Sequence, residues 1–171
     1  NALEPWAQGL APQLDESQLR ELRGCVLREI DVVAAWVGEH DLYAMLVDAA
    51  AQQRDEAGLR QYAPLAEEAA ARYDHKLYKA IAHRAWGVAH RLGGQPGESA
   101  SRLQEALGLF EQLGTRWQIG RTLFELVELG ISQNQGEAAR DYFLRALSLF
   151  EAMQAGPDAD RTRAMLERLS G

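Results

Sequence analysis

The sequence predicts an all-α fold, a stack of helix-turn-helix hairpins. Three observations predict it. Apolar residues recur at spacings of three and four from residue 15 onward, with no sustained period-two alternation, so helices rather than strands bury one face. Turn-forming clusters punctuate the chain at "GGQPGE" (93–98), "QNQGE" (133–137) and "AGPDAD" (155–160). The chain also repeats itself. "EALGLFEQL" (105–113) aligns with "RALSLFEAM" (145–153), setting Ala106, Leu107, Leu109 and Phe110 on Ala146, Leu147, Leu149 and Phe150 at an offset of 146 − 106 = 40. A period between about 20 and 50 residues that holds two helices marks a stacked array, because neither helix of a hairpin buries its apolar face alone.

Composition narrows the function classes. With 171 residues, 47% of them hydrophobic and 25% charged, the chain matches a globular protein with a substantial core. A net charge of −7, from 18 basic and 25 acidic residues, argues against a nucleic-acid surface. No apolar run approaches the roughly 18 residues needed to span a bilayer. The lone Cys25 excludes an internal disulfide and a cysteine-based zinc cluster, and a free thiol fits the cytoplasm. A chain starting Asn1-Ala2 without methionine reads as a piece of a longer protein, with a tag remnant at its head.

Taken in order, residues 1–14 read as an extended lead-in, since Pro5, Gly9 and Pro12 interrupt any regular pattern. Asp15 and Gln18 form a capping box for a first helix over 15–38, which Gly38 ends. Its last part, "EIDVVAAWVGEH" (29–40), is apolar almost all round and needs cover on more than one side. Three repeats follow over 40–154, at about 40–75, 76–114 and 115–154. Asp41, Asp55, Asp74, Thr115 and Asp158 are expected N-caps. Pro64 is expected to open or kink a helix, and a capping helix over 158–170 closes the array. The alanines Ala66, Ala106 and Ala146 fall one period apart, where small side chains let helices cross closely.

The columns resemble the tetratricopeptide repeat, whose first helix carries Trp-x2-Leu-Gly-x2-Tyr and whose second carries Ala-x3-Phe-x2-Ala. The second repeat reads His83-x2-Trp86-Gly87-x2-His90, then Ser99-x3-Leu103-x2-Ala106. The third reads Leu123-x2-Leu126-Val127-x2-Gly130, then Ala139-x3-Phe143-x2-Ala146. The first is weaker, with Tyr43, Leu46, Ala63 and Ala66 in the same columns. Only one repeat keeps the glycine, the closing proline is missing, and the period is 40 rather than 34. The resemblance implies a right-handed superhelical stack of hairpins with a concave groove, lined by the first helices, that receives a peptide or helix of a partner protein. Its groove positions include Asp48, Arg84, Arg91, Arg121, Phe124, Glu125 and Glu128 here, with Phe124 as the exposed aromatic. "FEQLGTRWQIGRTLFEL" (110–126) is further similar to long-period repeats at the C-terminal ends of large bacterial signalling ATPases. That likeness implies a regulatory or sensing part of a larger protein.

His83 and His90 stand seven residues apart, close to two helical turns, so they share a helix face. That spacing admits half of a metal or acid–base site. The repeat pattern puts packing residues in both columns, however, and no carboxylate or third ligand follows at helical spacing. The pair therefore reads as structural. No phosphate-binding glycine loop, Gly-x-Ser-x-Gly elbow or His-Glu-x-x-His occurs. The expected function is a non-catalytic interaction domain without cofactor or metal. The alternative is a homo-oligomerisation or autoinhibitory module acting on its own parent chain.

Overall fold

In a computed structural model, residues 38–165 are described. The chain divides into two compact units, 1–42 and 43–171. The lead-in over 1–14, the first helix expected over 15–38 save Gly38, and the end of the terminal helix lie outside the described residues. Among the described residues every regular element is helical: α1 (Glu39–Gln52), α2 (Glu56–Arg72), α3 (Lys76–Leu92), α4 (Pro96–Leu113), α5 (Arg116–Ser132), α6 (Gly136–Ala152) and α7 (Gly156–Arg163). None is long and apolar enough to cross a membrane.

The helices from α2 onward start at residues 56, 76, 96, 116, 136 and 156, one every 20 residues. Their turns are copies of one another. Left-handed backbone falls at Arg54, Asp74, Gly94, Gly114, Asn134 and Gln154, with φ between 46° and 70°. The next residue donates its N–H five residues back, from Asp55 to Ala50, His75 to Ala70, Gln95 to His90, Thr115 to Phe110, Gln135 to Gly130 and Ala155 to Phe150. This is the six-to-one bond that satisfies the orphan carbonyls at a helix end. The 40-residue sequence period is thus two identical helix-plus-turn steps.

Several expected caps sit elsewhere. Asp55 is an N-cap and accepts from the Gly58 N–H at 2.9 Å. Asp74 instead takes the left-handed position, and His75 precedes α3. Thr115 holds the cap position of α5, but its hydroxyl donates back to the Phe110 carbonyl at 3.3 Å. Asp41 lies inside α1. The terminal helix opens at Gly156 rather than Asp158, because the 20-residue step and Pro157 set its start. Pro64 sits within α2 at a solvent-facing position.

Within the unit 43–171, successive helices from α2 to α7 pack in chain order, and α3 also meets α5. Ala63, Ala106 and Ala146 are wholly buried and Ala66 nearly so. Leu103, Leu107, Leu123, Leu126, Leu129, Ala146, Phe150 and Ala159 form one apolar cluster. Phe124, Val127, Ala139, Phe143 and Met165 form another. The helix approach is close: the Ser99 hydroxyl, on α4, donates to the Gly87 carbonyl of α3 at 2.8 Å. A side chain larger than serine at that contact would push the two helices apart.

Candidate functional site

The residues expected to line a groove come from α1, α3 and α5. Arg84 and Arg91 lie two turns apart on one side of α3. Arg121, Phe124, Glu125 and Glu128 follow the i, i+3, i+4, i+7 stripe of α5. Asp48 is near the C-terminal end of α1. The structure brings the charged side chains among them together, and they pair with one another. Asp48 accepts from Arg84 through Oδ1 at 3.0 Å and from Arg121 through Oδ2 at 2.8 Å. Glu125 accepts through Oε2 from Arg91 at 2.8 Å and from Arg54 at 2.7 Å. Arg91 also lies 3.8 Å from Glu128.

The first helices therefore do not present an open, solvated charged face. Arg84 is 2% exposed. Its guanidinium also donates to the Gln118 side-chain oxygen at 2.5 Å and lies 5.2 Å from the centre of the Phe110 ring. Phe124 is likewise buried, 7% exposed, under the guanidinium of Arg161 at 4.7 Å. The expectation of an exposed aromatic at Phe124 is corrected, and Arg84, named as a groove position, is buried. Charge on a first helix faces another first helix here, and burial follows from that.

Three members of the network are electrostatically perturbed: Asp48, Glu125 and Arg84. Burial pushes the Asp48 carboxyl up, but Arg84 and Arg121 outweigh it and hold the group below its ordinary value. Glu125 is held down in the same way, with Arg54 and Arg91 overcoming burial. Burial pulls the Arg84 guanidinium down to about 10 against the attraction of Asp48, so it stays charged at neutral pH.

Three participants escaped the sequence reading. Arg54 lies in a turn, 71 residues from its carboxylate partner, and Gln118 is an uncharged residue at the start of α5. Arg161 had a readable signal, because it stands one 40-residue step after Arg121. It joins Gln52, Arg121, Phe124, Glu125, Phe150 and Asp158 around a recess of about 20 Å³, room for little more than a water molecule.

The histidines serve separate contacts. His83 is buried, and its Nδ1 lies 2.8 Å from the Arg102 guanidinium and 3.3 Å from Glu105. Burial lowers its pKa, so the neutral ring accepts the Arg102 N–H. His90 stacks on Trp86 and pairs with the Gln95 side chain at 2.9 Å. Among the described residues no three His, Cys, Asp or Glu side chains gather as a metal site would require. On the second helices, Arg102 bonds Glu67 and Arg145 bonds Glu111, each joining one hairpin to the next. No family model, curated protein or solved structure matches this chain.

Proposed function

We propose that this chain is a non-catalytic protein-interaction module of the tetratricopeptide type, which receives a segment of a partner protein along α1, α3 and α5. One observation carries the reading: the helix-plus-turn step recurs every 20 residues, which sets alternate helices side by side, as the ion pairs among α1, α3 and α5 require. Such an array offers a continuous surface for a peptide or helix. The recess beside Phe124, lined also by Arg121 and Arg161, marks where a partner would meet this face, and it must widen beyond its present one-water size to take a side chain. By the likeness of 110–126 to repeats of large bacterial signalling proteins, the module senses that partner for a larger cytoplasmic regulator.

The test places a photo-crosslinking amino acid at Gln52 or Arg161, on the recess, and at Leu144, exposed on α6. Adducts with one partner protein from the first two positions and none from Leu144 support the reading. Adducts from Leu144 alone move the working surface to the second helices. Adducts of the chain with itself, together with a dimer in light scattering, replace the reading by self-association.

A further inference from the structure

We propose that Arg54 and Asp48 form an electrostatic clasp that ties the first hairpin to the third, skipping the second, and that the clasp opens when its charges are screened or replaced. The inference goes beyond the interaction reading and does not depend on it. Two carboxylates each hold two arginines, one near in the stack and one far. Asp48 holds Arg84 on α3, the next hairpin, and Arg121 on α5, the one after. Glu125, on α5, holds Arg91 of the neighbouring α3 and Arg54 from the turn after α1.

Near and far links differ in their access to water. In the near links the arginine side chains are 3% and 10% exposed, for Arg84 and Arg91. In the far links they are 15% and 28% exposed, for Arg121 and Arg54. Salt weakens pairs that water reaches far more than those it does not. Each carboxylate also keeps its near arginine when the far one lets go, so no bare charge is left buried. The far links are therefore the breakable half of the network.

Opening has a consequence for any partner. With the clasp shut, the recess at Arg121, Phe124 and Glu125 admits about one water molecule. A segment that enters must bring a carboxylate for Arg121, replacing Asp48, whereas Glu125 keeps Arg91 when Arg54 lets go. A segment carrying a carboxylate meets that requirement, and a purely apolar one does not.

The test is Arg54→Gln combined with Arg121→Gln. Glutamine suits the backbone at residue 54, because Gln154 holds the same left-handed turn position with φ 56°. Spin labels on cysteines replacing the exposed Gln61 and Arg140, in a Cys25→Ser background, report the distance from α2 to α6 by pulsed electron resonance. At low salt the double variant is expected to show a longer, broader distance distribution than wild type. The wild type moves to the same distribution in salt of about 1 M, where the Debye length is ~3 Å. Arg145→Gln, which breaks an outer pair between neighbouring hairpins, leaves the distribution unchanged. Identical distributions for wild type and double variant overturn the clasp, and so does a wild-type distance indifferent to salt. Loss of helicity in the double variant overturns it too, since the near links are expected to hold the stack. A partner captured at Gln52 with unchanged distances removes the clasp and leaves the interaction reading standing.

Discussion

Replacing Arg84 separates a structural network from an open binding face. Arg84→Leu keeps apolar bulk beside Phe110 but removes the bonds to Asp48 and Gln118. Breaking a buried ion pair costs about 3–5 kcal/mol when the remaining charge is left alone. Asp48 is not left alone, because Arg121 still bonds its other oxygen at 2.8 Å. The loss then falls towards that of one charge-assisted hydrogen bond, about 1.5–3 kcal/mol, with a further contribution from the Gln118 amide. A total near 2–4 kcal/mol is a large part of the roughly 5–15 kcal/mol that stabilises a domain. Arg84→Glu is worse, because it sets a second carboxylate against Asp48 in a buried place, and that variant is expected to unfold. Urea denaturation followed by circular dichroism measures both. An Arg84→Leu variant within about 0.5 kcal/mol of wild type, the range of ordinary surface substitutions, would refute the burial argument and return Arg84 to an open groove.

Two glycines in helix interiors should respond to alanine with opposite signs. At Gly108 nothing lies within 4 Å of an added Cβ, so Gly108→Ala stabilises by about 0.5–1 kcal/mol through helix propensity. At Gly87 the same Cβ meets Leu103 Cγ at 2.6 Å, and Leu103 is fully buried, so overpacking of about 1–3 kcal/mol outweighs the propensity gain. Equal shifts in the urea midpoint for the two variants would contradict this packing. Gln154→Gly should stabilise by roughly 0.5–1 kcal/mol, since φ is 56° there and glycine takes left-handed backbone without strain; a loss in thermal midpoint would count against that turn geometry. Acid should weaken the fold in two steps. His83 has a lowered pKa in the fold, so the unfolded chain takes its proton first and stability falls as pH drops below its ordinary 6.5. Asp48 and Glu125 are also lowered, so their contribution is intact above about pH 4.5 and fades below it. His83→Gln should abolish the first step alone, and urea midpoints that run parallel to wild type from about pH 7.5 to 5 would refute its cause.

Helical character and the 40-residue period were legible because they depend on side-chain volume and polarity. Ala106 and Ala146 must be small where helices cross, and Phe110 and Phe150 must fill the space beside them. The 20-residue step escaped notice because it lies in the backbone. Its left-handed position is occupied in turn by Arg54, Asp74, Gly94, Gly114, Asn134 and Gln154, and only the two glycines and Asn134 announce the conformation. The same blindness misplaced Asp74 and Asp158 as helix caps. Both residue types favour that role, but the turn register assigned the position to His75 and Ala155.

The charged stripe shared by α1, α3 and α5 was legible within each helix and illegible between helices. Arg84 with Arg91, and Arg121 with Glu125 and Glu128, announce a stripe by their spacing alone. Nothing in a stripe says whether it faces water or another stripe. That depends on how far successive hairpins turn, and the turn lets Arg54 reach Glu125 across 71 residues and Asp48 reach Arg121 across 73. Net charge gave no guide, because it sums over surfaces that never meet. The chain is acidic at −7, yet Arg54, Arg84, Arg91 and Arg121 outnumber Asp48, Glu125 and Glu128 in this network. In an acidic protein this network thus carries one more arginine than carboxylate, and its charges are already paired. A partner seeking this face therefore competes with the chain's own carboxylates and guanidiniums. Its affinity should be governed by which of those bonds it replaces, not by long-range attraction to a charged groove.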